Sequence, residues 1–324
     1  MLVSVFKKNY LNQYLLIFIS SISLWIGTFL NPQPIATDSV TLLYGEVAKA
    51  LNHFPLLASI LAYLLLLVQG LFFNVVLAKH KLVTNASLMP MFVYVTLFSA
   101  MQVQTITPIL ISNLFILIAL NNLLSCDNIK TSQDKIFRAS AMISIAGMFD
   151  SLYLYFILLI PLVLIIYKIY YWREWVTVIL GFILPQIALF LYYFFVDGLD
   201  VFLYSSMSEI FQINLSFDFS NKLLLIFDAV LILIFIVSFF HYMFNSLENV
   251  ALYRKKTLII VWLTLVDIII LMYMTVVPFP IQLFVIPFSF FISTYILRVK
   301  QKEFISDIVL LLVFVCSLLS VYMI

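Results

Sequence analysis

The stretch LLASILAYLLLLVQGLFFNVVLA, residues 56–78, contains no charged side chain and lies between His53-Phe54-Pro55 and Lys79-His80-Lys81. Wound as a helix at about 1.5 Å per residue it extends roughly 35 Å, enough to cross a hydrocarbon core about 30 Å thick. Its apolar residues are continuous rather than alternating, which excludes a spanning barrel strand. The rest of the chain repeats the pattern. Of 324 residues, 65% are hydrophobic and 10% charged, against about 25% charged in soluble domains. Apolar runs fall at 14–30, 56–78, 87–102, 106–124, 139–149, 152–169, 175–195, 223–243, 257–276, 281–297 and 307–324. The sequence therefore predicts an all-α, polytopic transmembrane bundle of about eleven helices, one domain over residues 1–324.

Charge sets the expected orientation. With the N-terminus in the cytoplasm, the inner loops receive Lys7, Lys8, Lys79, Lys81, Lys130, Lys135, Arg138, Lys168, Arg173, Arg254, Lys255, Lys256, Arg298, Lys300 and Lys302, and the outer face only Lys49 and Lys222. That partition of all seventeen basic residues follows the positive-inside rule. It predicts a multi-pass protein of a bacterial inner membrane with a periplasmic C-terminus. Two runs are weak as spans: 87–102 carries Pro90 near its start, and 139–149 has eleven residues. Each is expected to be tilted, re-entrant or buried among neighbours. The first apolar run follows Lys7-Lys8 without a small-residue cleavage motif, so an uncleaved helix is expected. The net charge of +2 and the scattered basic residues give no footprint for nucleic acid.

Only two outer segments, 31–55 and 197–221, have room for a site. The first opens with Asn31-Pro32-Gln33-Pro34, which stops a helix. Thr37 or Asp38 is placed to cap a short helix running to about Phe54. Glu46, Lys49 and His53 recur on it at spacings of three and four, one face of an amphipathic surface helix. An acid, an amine and an imidazole there suit activation of an acceptor and binding of a lipid phosphate. A solvated face of an interfacial helix has the same pattern. The second segment carries Asp197, Asp200, Glu209 and Asp218 among Phe202, Tyr204, Phe211 and Phe217. It has neither EF-hand spacing nor a D-x-D pair, and acidic outer loops are ordinary in membrane proteins.

Asp228 and Asp267 fall within apolar runs, where a carboxylate is costly and commonly functional; no aligned third member of a proton path is visible beside them. His53, His80 and His241 are divided between opposite faces, so no intramembrane pair is expected to hold a haem or iron, and no metal or other cofactor is expected. Cys126 and Cys316 read as small hydrophobes. Six glycines in the chain are few for a transporter built from broken helices and close crossings.

Tyr171-Trp172-Arg173-Glu174-Trp175, followed by Gly181-Phe182 and Pro185, resembles the W-R-E-W, G-F, P signature of an uncharacterised family of multi-pass inner-membrane proteins of Bacteroidetes. Phe6-Lys7-Lys8-Asn9, Asn31-Pro32, Pro90, Tyr94, Ser99, Ile286-Pro287 and the segment Lys300 to Glu303 fit the same pattern. Ser140, Ala141 and Asp150 to Leu152 depart from it. The resemblance implies the fold and the membrane but no activity. On physical grounds Trp172, Arg173, Glu174 and Trp175 form an interfacial turn that locks a helical hairpin.

The architecture of a cytoplasmic N-terminus, a first helix, then an outer segment with an acid and a surface helix is similar to that of polytopic, lipid-linked-sugar-dependent glycosyltransferases. That likeness implies Asp38 or Glu46 as the catalytic base, Lys49 and His53 as ligands of the lipid phosphate, and membrane lipid, including a polyprenyl-phosphate carrier, as partner. Two other classes remain open: a non-catalytic subunit or scaffold that docks another envelope protein in an assembly or secretion complex, and a lipid or small-solute transporter using Asp267.

Overall fold

The computed structural model describes residues 6, 10–35, 42–83, 87–100, 104–127, 132–198, 222–245, 251–273, 282–298 and 303–322. Among these the regular structure is helical throughout: α1 (Tyr10–Leu30), α2 (Leu42–Leu51), α3 (Pro55–Lys79), α4 (Met89–Ser99), α5 (Pro108–Leu124), α6 (Ser132–Phe149), a 3-10 segment (Ser151–Leu158) continuing into α7 (Leu159–Tyr167), α8 (Trp172–Phe195), α9 (Lys222–Asn245), α10 (Ala251–Tyr273), α11 (Val285–Arg298) and α12 (Glu303–Tyr322). Proline positions several of the starts. Pro55, Pro90 and Pro108 occupy the first or second position of α3, α4 and α5, where a missing N–H costs nothing. Thr107 caps α5 by accepting from the Leu110 N–H at 3.2 Å. The passage from 3-10 to α geometry comes just ahead of Pro161, within the first turn of α7, where the ring is tolerated.

Helices run back and forth between two ends, which their hydrogen bonds identify. At one end Gln13 accepts from the Leu88 N–H (2.8 Å), Lys79 donates to Asn121 (3.1 Å), Tyr253 to the Leu82 carbonyl (3.3 Å) and Arg298 to Tyr253 (2.6 Å). At the other, Trp25 donates to Ser99 (2.9 Å), Thr28 to Gln104 (2.7 Å) and Tyr44 to the Ile106 carbonyl (2.9 Å). The first end also holds Lys135, Lys255 and Lys256, so the charge asymmetry of the sequence is an asymmetry of the folded bundle.

Among the described residues five helices are long and apolar enough to cross a membrane: 11–30, 55–79, 172–195, 226–244 and 304–322. Large apolar side chains line their outward faces, including Leu61, Leu64 and Val68 on α3 and Ile179, Leu180 and Ile183 on α8. Contiguous apolar exposure on this scale is foreign to a water-soluble surface and is the build of a membrane bundle.

Both weak segments differ from their sequence bounds. Every residue of α4 is buried; the helix is an eleven-residue core piece enclosed by α1, α3, α11 and α12. The run 139–149 is the second part of α6, an eighteen-residue helix. Its polar first turns stay helical because Arg138 pairs with Asp134 one turn back (3.0 Å) and Lys135 donates to the Ser125 carbonyl. Glycine, although scarce, permits the closest crossing. A Cβ on Gly181 of α8 would lie 2.0 Å from Ser140 Oγ and 2.7 Å from the Phe137 carbonyl of α6. Ser144 then donates to the Phe182 carbonyl at 2.7 Å, and Gln186 to the Ser144 carbonyl at 3.1 Å.

Candidate functional sites

Helix α2 lies across the end opposite the basic residues. Its sequence is amphipathic, and the apolar face is turned inward: Tyr44 and Ala48 are buried, and α2 packs on α6 and α3. The hydrogen bond from Tyr44 to the Ile106 carbonyl pins it, and burial pushes the Tyr44 phenol up to about 12. Glu46 and Lys49 are exposed on the free side; the helix ends at Leu51, short of the expected Phe54, so His53 is exposed in the turn that follows it rather than on the helix. Lys49 donates to Glu46 Oε1 at 2.9 Å, a bond that raises the Lys49 ammonium above its ordinary value. Tyr193, near the end of α8, lies within electrostatic reach of both. The spacing read from the sequence therefore gives an adjacent acid and amine, already partnered with one another. Asp38 lies outside the described residues, as do Asp200, Glu209 and Asp218. Asp197 ends α8 in the left-handed backbone region, with φ 53°.

The W-R-E-W segment works differently from its expected role. Trp172–Trp175 is the first turn of α8, with Trp172 and Trp175 exposed and Glu174 buried. Glu174 accepts from the Ser132 hydroxyl at 3.4 Å, and Gln133 donates to Thr177 at 3.2 Å. The segment thus ties α8 to the start of α6 rather than back to α7, because the buried face of α8 is the one carrying Glu174, Thr177 and Gly181.

A second polar group, at the basic end, was not apparent in the sequence. Lys256, buried on α10, reaches Asp127 at 3.3 Å and His80 Nδ1 at 3.4 Å. His80 Nε2 lies 3.3 Å from Asn121 Oδ1. Burial first, then the Lys256 and Lys79 charges, lower the imidazole to about 4, against the opposing effects of Asn121 and Asp127. His80 follows α3, Asn121 and Asp127 belong to α5 and its following turn, and Lys256 comes from α10; no local pattern announces such a group.

The third feature lies inside the bundle. Tyr94 donates to Gln69 (2.9 Å), Gln69 to the Leu110 carbonyl (2.6 Å), Tyr153 to Asn113 (3.0 Å) and Asn113 to the Gln282 carbonyl (3.1 Å). Tyr153 is within electrostatic reach of Asp267, Asp150 and Tyr94. Asp267 itself is fully buried, and neither carboxylate oxygen has a hydrogen-bond partner among the described residues. Because α10 begins at Ala251, Asp267 lies nearer the non-basic end than a mid-bilayer position. Asp228 is buried on α9, which packs on α11 and α12, whereas α10 packs on the 3-10 segment, α7 and α11. The two acids occupy different seams.

A cavity of about 450 Å³ opens between α1, α3 and α4, lined by Leu11, Tyr14, Leu15, Phe18, Leu67 and Met91 among others. It takes in the start of α1, the half nearer the basic end, and so lies away from Lys49. Compared with protein families, curated proteins and solved structures, the chain matches none.

Proposed function

We propose that the protein is a glycosyltransferase-like enzyme of a bacterial inner membrane, crossing it eleven times with a cytoplasmic N-terminus and a periplasmic C-terminus, and using a polyprenyl-phosphate-linked sugar at the outer face. The resemblance of Trp172–Trp175 to a signature of multi-pass inner-membrane proteins of Bacteroidetes supports the membrane part of this reading. The observation that carries the reading is α2, a surface helix fixed by Tyr44 across the non-basic end, with Glu46 and Lys49 on its free side and His53 exposed in the turn that follows.

In this reaction an acceptor oxygen attacks the anomeric carbon of the sugar. The bond from that carbon to the phosphate oxygen breaks, the polyprenyl phosphate leaves with the bonding electrons, and Glu46 or Asp38 takes the acceptor proton. Lys49 and His53 hold the departing phosphate, which requires the Glu46–Lys49 pair to open as the lipid binds.

Native mass spectrometry of the purified protein with added polyprenyl phosphate tests the reading. Binding that falls at least tenfold in Lys49→Gln and His53→Ala, with unchanged protein level and elution, supports it. Equal binding by all three proteins refutes it and favours a non-catalytic subunit.

A further inference from the structure

We propose that Asp267 is a binding site inside the bundle for a single small positive charge, a proton or a monovalent metal ion. The inference is independent of the surface helix. Its starting point is an imbalance: the surrounding polar groups are satisfied and the acid is not. Tyr94, Gln69, Asn113 and Tyr153 spend their polar atoms on each other and on backbone carbonyls, whereas both Asp267 oxygens are buried without a donor among the described residues. An uncompensated carboxylate in such a place costs several kcal/mol, a cost removed when one positive charge joins it. Among the described residues nothing basic faces it from the elements packed against α10. Tyr153 and Tyr155 belong to the 3-10 segment, and Tyr167 of α7 and Tyr295 and Arg298 of α11 lie toward the basic end.

Two titratable neighbours lie toward the non-basic end. Asp150 caps the 3-10 segment at the non-basic end, accepting from the Leu152 N–H at 3.1 Å, and Tyr153 stands within reach of both Asp150 and Asp267. A buried carboxyl that takes up and releases a charge is the minimum equipment for coupling an ion gradient to movement in the bundle.

The full chain in lipid nanodiscs provides the test, by infrared difference spectroscopy between wild type and Asp267→Asn, with thermal melting in sodium, potassium and choline salts. A protonated-carboxyl carbonyl band lost in Asp267→Asn and retained in Asp228→Asn identifies a proton. No such band, with melting raised by sodium or potassium in wild type alone, identifies a metal ion. If Asp267→Asn folds and wild type shows neither a carboxyl band that the variant loses nor a rise in melting with sodium or potassium, the proposal is overturned. If that variant fails to fold, Asp267→Glu replaces it, and an unshifted band with an unchanged ion response is then the refuting result.

Discussion

Acidification should loosen the basic end of the bundle through one imidazole. His80 is buried against Lys256 and Lys79, and its pKa falls from an ordinary 6.5 to about 4. Below pH 6.5 the unfolded chain takes up a proton that the folded protein refuses until about pH 4, so stability is fully present above pH 6.5 and is lost as pH falls through that window. The linkage relation gives about 2 kcal/mol lost between about pH 7 and about pH 5. His80→Gln keeps a polar partner for Asn121 and cannot titrate. Melting of both proteins in the same detergent, followed by tryptophan fluorescence, isolates the effect, since all other titrating groups cancel in the difference. Wild type should lose several degrees relative to the variant on acidification. Parallel pH profiles would falsify the account of the Lys256–His80–Asn121 cluster.

Three further outcomes follow from the packing. Gly181→Ala drives a Cβ against Ser140 Oγ and the Phe137 carbonyl, so α6 and α8 must separate at a cost of about 1–3 kcal/mol; a lower melting temperature, only partly restored by Ser140→Gly, is expected, and an unchanged one contradicts the crossing. Tyr44→Phe removes the bond to the Ile106 carbonyl and costs about 1–2 kcal/mol, felt locally as faster hydrogen exchange over 42–51 while α5 and α6 stay protected. Trp25→Phe deletes the indole N–H bonded to Ser99. Because Ser99 still donates to the Val95 carbonyl, the lost bond accounts for about 1 kcal/mol; the smaller ring also leaves a void in a fully buried site, so about 2–3 kcal/mol in all should go, and an unchanged melting temperature would contradict the buried placement of Trp25.

Much of the framework was legible because solvent imposes it locally. A run such as 56–78 has to be a helix in lipid, whatever it touches, and Pro55 and Pro108 mark starts by the chemistry of their own rings. The start of α6 was not legible: Asp134, Lys135 and Arg138 look like a loop between apolar runs, and it is their pairings with a helical neighbour and with Ser125 that keep them helical. Gly181 looked merely like one of few glycines until Ser140 and Phe137 were seen beside it. Candidate sites divide the same way. Glu46, Lys49 and His53 were visible because they are one helical turn apart. Tyr153 beside Asp267, and His80 beside Lys256, are separated by more than a hundred residues, and hydrophobic periodicity carries no information across that distance.

The short core helix α4 has a consequence for how the protein is made. At eleven residues it is about 16 Å long, roughly half the thickness of the hydrocarbon, and all of it is enclosed. As it leaves the ribosome only α1 and α3 exist to receive it, while the other two walls of its enclosure, α11 and α12, are the last helices synthesised. Insertion in strict order from the N-terminus would leave this piece half-covered through most of translation. Its final seat must form late, after Val285–Arg298 and Glu303–Tyr322 have entered. A nascent chain halted before residue 285 should therefore be a substrate for membrane quality-control proteases.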